Sequence, residues 1–213
     1  MDLEQQHESG TLGMWSFLIT EIMFFGGLFL AYFVYRQAYP AAFASASNKT
    51  DVLIGAFNTT VLICSSLTMA LAVHYAAIGK KNLLVLFLIL TLLLGGAFLG
   101  VKTIEYHDKF VEHYVPGSTF AFDKPFDDNG QQIPVNANEA QLYFSLYFAM
   151  TGMHALHMII GCGLFGVLAV FAWKGRYSPG YFTPIENAGL YWHLVDLIWI
   201  YLFPLLYLIS RHS

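Results

Sequence analysis

Charged side chains are scarce in this 213-residue chain, in which Asp, Glu, Lys and Arg together make up only 11% of the residues. A soluble domain usually carries about a quarter. Hydrophobic residues instead reach 57%, and the mean hydropathy is +0.56. This balance excludes an ordinary soluble domain and indicates an integral membrane protein.

Basic runs and cysteine clusters are also missing from the sequence. The net charge is only −4, and no stretch of Lys and Arg indicates a nucleic-acid partner. The two cysteines, Cys64 and Cys162, stand in apolar runs far from any Cys-x-x-Cys motif. We therefore expect small buried packing residues and no disulfide framework. The N-terminal stretch MDLEQQHESG lacks the positive flank of a signal peptide, so the first apolar run is expected to remain in the mature protein.

Five apolar segments are long enough to cross a membrane, for which about 20 residues suffice. They cover residues 12–35, 52–78, 82–105, 141–173 and 187–209. Backbone groups in lipid must be bonded within their own segment, which favours helices over open strands. We therefore predict an all-α integral membrane protein, a single domain over residues 1–213 with five transmembrane helices in an antiparallel bundle. The long hydrophilic loop 106–140 is predicted to lie outside the membrane.

A carboxylate interrupts the first apolar segment, in the stretch SFLITEIMFF. At a rise of about 1.5 Å per residue, Glu21 lies about 14 Å from the start of the segment. A charge at that depth costs roughly 2.5–3.5 kcal/mol on insertion scales. Protonation, a partner group or a water-filled cavity would avoid this cost, and each makes Glu21 a candidate functional residue. The alternative is an interhelical hydrogen bond that only fixes packing.

Polar residues also interrupt the last two apolar segments. His154 and His157 share one helix face, as do His193 and Asp196, and Asp196 lies at a depth similar to that of Glu21. His-x-x-His is compatible with a metal site, but no thiolate cluster and no Glu-x-x-His motif accompanies it. We therefore predict no metal and interpret the four residues as a polar network that keeps the fourth and fifth helices in register. A membrane metalloenzyme built on His154, His157 and His193 is the less favoured alternative.

Further polar residues stand near the ends of the second and third segments. We expect His74, Lys102, Glu105 and His107 to reach the membrane interface or lipid headgroups, because charged side chains at helix ends can extend toward water. Aromatic residues near helix ends are expected to act as interface anchors; these are Trp15, Trp173 and Tyr207. Small residues such as the pair in Gly96-x-x-x-Gly100 are expected to allow close helix packing.

Five motifs, taken in order, resemble subunit III of the haem–copper oxidases, especially of cytochrome c oxidase. They read GMWSFLITEIMFF, NTTVLICSSLTMALAVH, LGGAFLGVKTIEYHD, YFSLYFAMTGMHALHMIIG and ENAGLYWHLVDLIWIYLFPLLYL, and they extend over about residues 8–209. The chain starts directly ahead of the glutamate helix, so it resembles the five-helix bacterial form, and its loop 106–140 is longer than that resemblance predicts.

This resemblance implies a non-catalytic subunit of a respiratory terminal oxidase that performs oxygen reduction and proton translocation. Members bind no haem or copper themselves; those cofactors lie in partner subunits. They pack against subunit I, hold phospholipid and support proton uptake. The partners expected here are subunits I and II, phospholipid, and further small membrane subunits or a respiratory supercomplex. By resemblance, Glu21 is the carboxyl that reacts with hydrophobic carbodiimides.

The resemblance also implies an orientation, which the counts of Lys and Arg on the two sides leave open. It places the N-terminus, the GKK turn and the KGR loop in the cytoplasm. The long loop and the C-terminus then lie in the periplasm, with the chain in the bacterial plasma (inner) membrane. Two related alternatives are subunit III of a quinol oxidase and an accessory protein of nitric oxide reductase. Quinol members tend to carry Asp where this chain has Glu21, which favours a cytochrome c oxidase.

Overall fold

A computed structural model describes residues 3–117, 120–122 and 136–208 of the chain. The described residues form six α-helices, of which five are long and apolar enough to cross a membrane. This confirms the predicted all-α integral membrane bundle. The helices are α1 (Leu3–Ala38), α2 (Pro40–Ser47), α3 (Val52–Ala77), α4 (Lys81–Val111), α5 (Ala137–Trp173) and α6 (Thr183–Phe203), and a π-helical turn, Pro204–Leu208, extends α6.

The helices extend further than the apolar segments predicted. α4 continues to Val111 and α5 begins at Ala137, so both ends of the predicted loop 106–140 are helical. Near the end of α4, the polar side chain of Lys109 is buried, and its Nζ donates to the Lys49 carbonyl at 2.5 Å. Residues 118–119 and 123–135 of that loop lie outside the described residues.

The connection between the first two spanning helices is itself partly helical, which the sequence interpretation missed. α2 starts at Pro40, whose fixed φ suits the first helical position. It buries Ala42, Phe43 and Ala46, and the Phe43 ring meets Tyr143 of α5 edge-to-face at 5.4 Å. The segment is therefore packed onto the bundle.

Local signals set several helix ends. The Asp51 side chain caps α3 by accepting from the backbone N–H of Leu53 at 2.8 Å and of Ile54 at 3.3 Å. Gly79, with φ at +72°, ends the same helix, and the next N–H, that of Lys80, donates back to the Tyr75 carbonyl at 3.0 Å. This left-handed turn reverses the chain directly into α4 and makes α3 and α4 antiparallel neighbours.

α6 lies at the centre of the bundle. In the most apolar 18-residue stretch of each helix, 56% of the residues of α6 are buried, compared with 17% of those of α1, which lies at the periphery. α6 contacts α1, α3 and α5, while α4 lies between α3 and α5. The two terminal spanning helices therefore differ in role: α6 organises the core, and most of α1 faces outward.

Trp192 fixes the place where α6 meets α3, α4 and α5. Its indole Nε1–H donates to the Ser65 hydroxyl of α3 at 2.8 Å. A Cβ added at Gly95 would lie 2.9 Å from the Trp192 ring, and one added at Gly161 would lie 2.6 Å from it. These two glycines therefore permit the close approach of the Trp192 ring. The pair predicted for that role, Gly96 and Gly100, has no other atom within 4 Å of an added Cβ.

Two further side-chain predictions need correction. Cys64 is exposed on α3 and not buried, whereas its neighbours Leu62 and Ser65 are buried on the same helix. Tyr207, predicted as an interface anchor, is fully buried because the π-helical turn lies within the bundle. Trp173 is exposed at the last residue of α5, whereas Trp15 is exposed twelve residues into α1; their role as interface anchors stays a prediction.

Candidate functional site

Glu21 lies halfway along α1 and contacts α5. Its Oε2 is 3.1 Å from the Nε2 of His157, and the two side chains are 18% and 13% exposed, respectively. The Phe25 ring lies 5.6 Å from the imidazole, and the Tyr191 hydroxyl donates to the His157 carbonyl at 2.8 Å. The carboxyl therefore has an imidazole partner in a mostly apolar setting.

The other nitrogen of His157 determines what this pair must contain. Nδ1 lies 2.8 Å from the Met153 carbonyl oxygen, which can only accept, so Nδ1 carries a hydrogen. Nε2 is then bare in the neutral ring. A hydrogen bond between Nε2 and Oε2 consequently requires one more proton, on Glu21 or on the imidazole. With that proton the pair as a whole would be electrically neutral, which would lower the cost of a carboxyl group at this depth.

His154 lies one helical turn earlier on α5 but contacts different neighbours. It is buried, and its Nε2 lies 3.1 Å from the Val195 carbonyl of α6, to which it donates. Its ring meets Phe98 at 5.4 Å and Trp199 at 5.1 Å. His154 therefore links α5 to α6 directly and takes no part in the Glu21 pair.

His193 and Asp196 face α3, where they border a cavity of about 370 Å³ between α3 and α6. The Nδ1 of His193 lies 2.8 Å from the Ser66 hydroxyl. Asp196 is 3% exposed, and neither of its carboxyl oxygens has a hydrogen-bond partner. The Ser66 hydroxyl lies near the carboxyl, but the hydrogen bond that it makes is with His193.

The four residues predicted as one network are thus divided among three contacts. His157 pairs with α1 through its side chain, His154 with α6, and His193 with α3, so among these four side chains only that of His154 hydrogen-bonds between the fourth and fifth spanning helices. Asp196 lies in the cavity and not beside Glu21. Among the residues that the structure describes, no group of three or more His, Cys, Asp or Glu side chains is arranged to hold a metal ion.

Lys102 and Glu105 form a buried ion pair, contrary to the expected contact with lipid headgroups. Lys102 Nζ lies 2.8 Å from Glu105 Oε2, and the two side chains are only 5% and 4% exposed. Nζ also donates to the Tyr207 hydroxyl at 2.7 Å and lies 4.6 Å from the centroid of the Trp199 ring. Lys102 and Glu105 lie nine and six residues before the end of α4, and their side chains do not extend outward because they find these partners inside the bundle.

Two tyrosines complete the solvation of Glu105. Its Oε1 accepts from the Tyr147 hydroxyl at 2.5 Å and also from the Tyr207 hydroxyl. The carboxylate therefore has donors at both oxygens, and the ammonium has a charged partner, a hydroxyl and an aromatic face. Sequence reasoning missed Tyr147 and Tyr207. The available signal was Lys102 and Glu105 themselves, since opposite charges three residues apart on an apolar helix are a candidate internal pair.

The remaining predicted interface residues are at the surface. His74 on α3 is exposed, and His107 on α4 is exposed with its Nδ1 3.7 Å from Asp108. Contact of these two side chains with lipid headgroups stays a prediction. At the same end of the bundle as His107, a polar cavity of about 580 Å³ reaches from Asp51 to Glu105.

Comparison with known proteins adds independent information. The sequence profile described as cytochrome c oxidase subunit III matches residues 136–211. The chain is 32% identical over 205 residues to cytochrome c oxidase subunit 3 of Thermostichus vulcanus, covering 94% of this chain and 87% of that protein. The chain belongs to the subunit III family of haem–copper oxidases.

Members with different electron donors are about equally similar. Quinol oxidase subunit 3 of Bacillus spizizenii is 31% identical over 212 residues, covering 98% of this chain and 92% of that protein. Cytochrome c oxidase subunit 3 of Corynebacterium diphtheriae is 31% identical over 202 residues, covering 94% and 88%. As a subunit III family member, the chain is a multi-pass protein of the plasma membrane that associates with other oxidase subunits.

Proposed function

We propose that this chain is the non-catalytic subunit III of a respiratory cytochrome c oxidase, in which it stabilises subunit I and supports proton uptake there. The observation that carries this proposal is the Glu21–His157 contact, in which an intramembrane carboxyl oxygen lies 3.1 Å from an imidazole nitrogen. Glu21 lies on α1, the least buried spanning helix, where neighbours such as Ile22 and Met23 are 56% and 72% exposed. A neighbouring subunit can therefore approach within a few residues of this carboxyl.

The same exposed helix provides a surface for subunit I. Apolar side chains in a lipid environment gain little from association by hydrophobicity alone, so close packing and polar contacts must supply the affinity. α1 offers Gly26 and Gly27, where an added Cβ would meet no other atom within 4 Å, together with the nearby carboxyl. Small residues beside a polar group are the combination that favours helix association in membranes.

Bound phospholipid is the second part of the proposal. The α3–α4 turn and the loop after α5 carry Lys80, Lys81, Lys174 and Arg176, all at one end of the bundle. Cationic side chains near a membrane surface attract anionic lipid. His74 lies toward this end, and His107 toward the opposite end, where each is free to meet a headgroup. In the proposed orientation, the cationic end is cytoplasmic.

The decisive experiment compares the oxidase isolated with and without this chain. We expect similar initial oxygen consumption per haem, because the redox centres lie in the partners. During continued turnover, the form lacking this chain should lose activity faster and take up protons more slowly. Equal proton-uptake rates and equal activity lifetimes in the two forms would contradict the proposed role.

A quinol oxidase is the second candidate, favoured by the 31% identity with the Bacillus spizizenii protein. Membranes that contain the complex should reduce oxygen with reduced cytochrome c if the first proposal is right. Activity with a quinol alone, in the presence of an inhibitor of quinol–cytochrome c electron transfer, would favour the second candidate. Neither outcome changes the proposed role of the Glu21–His157 pair.

A further inference from the structure

The cavity between α3 and α6 contains an unpartnered carboxyl group. Asp196 is 3% exposed, and both carboxyl oxygens lack a hydrogen-bond partner. A buried polar group without a partner costs free energy whether or not it is ionised. The cavity beside it, of about 370 Å³, is within the range of small-molecule sites. Asp196 therefore lines a space that is large enough for a molecule able to bond the carboxyl.

A second polar group borders the same space. His193 uses Nδ1 for its contact with Ser66, and its Nε2 has no hydrogen-bond partner among the described residues. The ring can accept or donate at Nε2 according to its tautomer. An occupant with two hydroxyl groups, or with one hydroxyl and one carbonyl, can therefore bond both side chains at once.

The rest of the cavity is apolar and opens toward the lipid. Leu67 and Leu197 on its rim are 62% and 50% exposed, and Leu62 forms part of its buried wall. A ligand can therefore enter laterally from the membrane without crossing an aqueous surface. The cavity is concave and lined mostly by bulky side chains. A surface against which a partner helix packs is instead flat and rich in small residues, so the two kinds of site differ.

Depth restricts the chemistry of the occupant. At a rise of about 1.5 Å per residue, Asp196 lies about 20 Å from the start of α6 and about 18 Å from the end of the π-helical turn. This is near the middle of a hydrocarbon layer of about 30 Å. A phospholipid headgroup does not reach that level, and a charged compound is disfavoured there. A neutral, membrane-soluble hydroxyl compound can reside at this depth.

We propose that the α3–α6 cavity binds a neutral membrane-soluble molecule through a hydroxyl group that donates to Asp196, with His193 as the second contact. Two kinds of molecule share this chemistry: a prenylated hydroquinone, with two aromatic hydroxyls, and a polyprenol, with one aliphatic hydroxyl. The hydroquinone matches both polar side chains, whereas the polyprenol matches only one. This inference does not depend on the proposed role in proton uptake.

The test uses the intact oxidase complex in lipid nanodiscs and three photoreactive probes. The first is a diazirine-bearing prenyl hydroquinone under reducing conditions, the second its dimethyl ether, and the third a diazirine-bearing polyprenol. We expect the hydroquinone to label residues 62–70 or 193–200 in a saturable manner, with about tenfold preference over the ether, the equivalent of about 1.4 kcal/mol. Saturable labelling by polyprenol alone supports the site and identifies the aliphatic source.

Two variants test the contacts. Asp196→Leu should reduce labelling about tenfold, comparable with loss of one hydrogen bond to a buried group. If this variant fails to assemble, Leu197→Trp fills the entrance and leaves Asp196 in place. Leu156→Trp, at a position 47% exposed on α5 and outside the cavity, is the matched control and should label normally.

Other outcomes overturn the proposal. Equal, non-saturable labelling by the hydroquinone and its ether shows only partition into lipid. Unchanged labelling in both cavity variants shows that the probe lies elsewhere. Crosslinking of position 197 to a neighbouring subunit, in a complex that no probe labels, shows that a partner helix covers the cavity. Each of these results leaves subunit assembly and oxygen reduction measurable, so the family role is tested separately.

Discussion

Glu21 of α1 and His157 of α5 face each other at 3.1 Å across the periphery of the bundle. The Met153 carbonyl fixes the hydrogen of His157 on Nδ1, so a hydrogen bond between Nε2 and the Glu21 carboxyl would require one further proton on the pair. Such a pair would be neutral and would avoid the cost of an isolated carboxylate at this depth.

Glu21→Gln should leave the subunit in the complex. The Gln amide can donate to the bare Nε2 of His157, so the contact survives without the extra proton. Glu21→Leu instead leaves Nε2 unpaired and should lower the stability of the complex by about 1–3 kcal/mol. Subunit content by gel and thermal unfolding measure both effects. If the Gln variant loses the subunit, an ion pair at this site is essential for packing.

Carbodiimide modification provides a second measurement on the same carboxyl. A hydrophobic carbodiimide requires a protonated carboxyl in an apolar place, so modification at Glu21 is expected in the wild-type complex and absent in Glu21→Gln. Peptide mass spectrometry locates the adduct. An adduct at Asp196 with none at Glu21 would contradict a protonated carboxyl at Glu21.

Lys102→Met should be strongly destabilising. The substitution removes the ammonium and leaves the buried Glu105 carboxylate without its charged partner, at a cost of about 3–5 kcal/mol. Combining it with Glu105→Gln should recover much of the loss, because no unpaired charge then remains. Thermal unfolding of the wild type, the two single variants and the double variant gives the coupling free energy between the two side chains. Additive losses would mean that the two side chains do not form the pair described.

A matched surface pair provides the control for that cycle. His107 and Asp108 lie 3.7 Å apart with side chains 75% and 59% exposed. Exposed pairs contribute about 0–1 kcal/mol, so Asp108→Asn should change thermal unfolding little.

His154→Leu should reduce the heat stability of the purified complex. The imidazole donates to the Val195 carbonyl inside the α5–α6 contact, and Leu removes this interhelical hydrogen bond, at about 0.5–1.5 kcal/mol. His74→Leu, at an exposed position, is the control and should have a small effect. Unchanged assembly and melting temperature in the His154 variant would count against its role in holding the two helices.

Gly161→Ala should destabilise the bundle, whereas Gly163→Ala should not. An added Cβ lies 2.6 Å from the Trp192 ring at the first position and meets nothing within 4 Å at the second. Overpacking costs about 1–3 kcal/mol, while Ala in an exposed helix position gains about 0.5–1 kcal/mol over Gly. Opposite signs in the two thermal shifts are expected. Equal shifts would show that Trp192 can move away freely.

The five spans could be predicted because hydrocarbon imposes a length and an apolar composition that are visible residue by residue. Glu21, His154, His157, His193 and Asp196 could be selected because polar groups at that depth are costly. The residues that these side chains contact could not be predicted from the sequence. Residues three apart point in directions that differ enough for His154 to reach α6 and His157 to reach α1.

The Lys102–Glu105 pair shows the opposite difficulty. The predicted position of Lys102 near a helix end suggested that its side chain points outward. Its partner Tyr207 could not be found from the neighbouring sequence, because Tyr207 is more than a hundred residues away and lies in a π-helical turn. Similarly, Gly96 and Gly100 have the spacing of a packing motif, yet the face of α4 that meets Trp192 carries Gly95. Which face a membrane helix buries depends on its neighbours, since lipid and protein interior are both apolar.

The proposed orientation predicts which residues an impermeant maleimide reaches in intact cells. Glu112→Cys, exposed just after α4, should label from outside. Lys80→Cys, in the α3–α4 turn, should label only after the membrane is opened. The reverse pattern would place the N-terminus in the periplasm.

The most direct test of the central claim is purification of the affinity-tagged chain from its native membrane in mild detergent, followed by the haem spectrum and metal content of the complex. The account predicts a reducible haem signal and copper in fixed ratio to this chain, with both retained by a larger partner when the chain is removed. A pure preparation with no haem-bearing partner would contradict it.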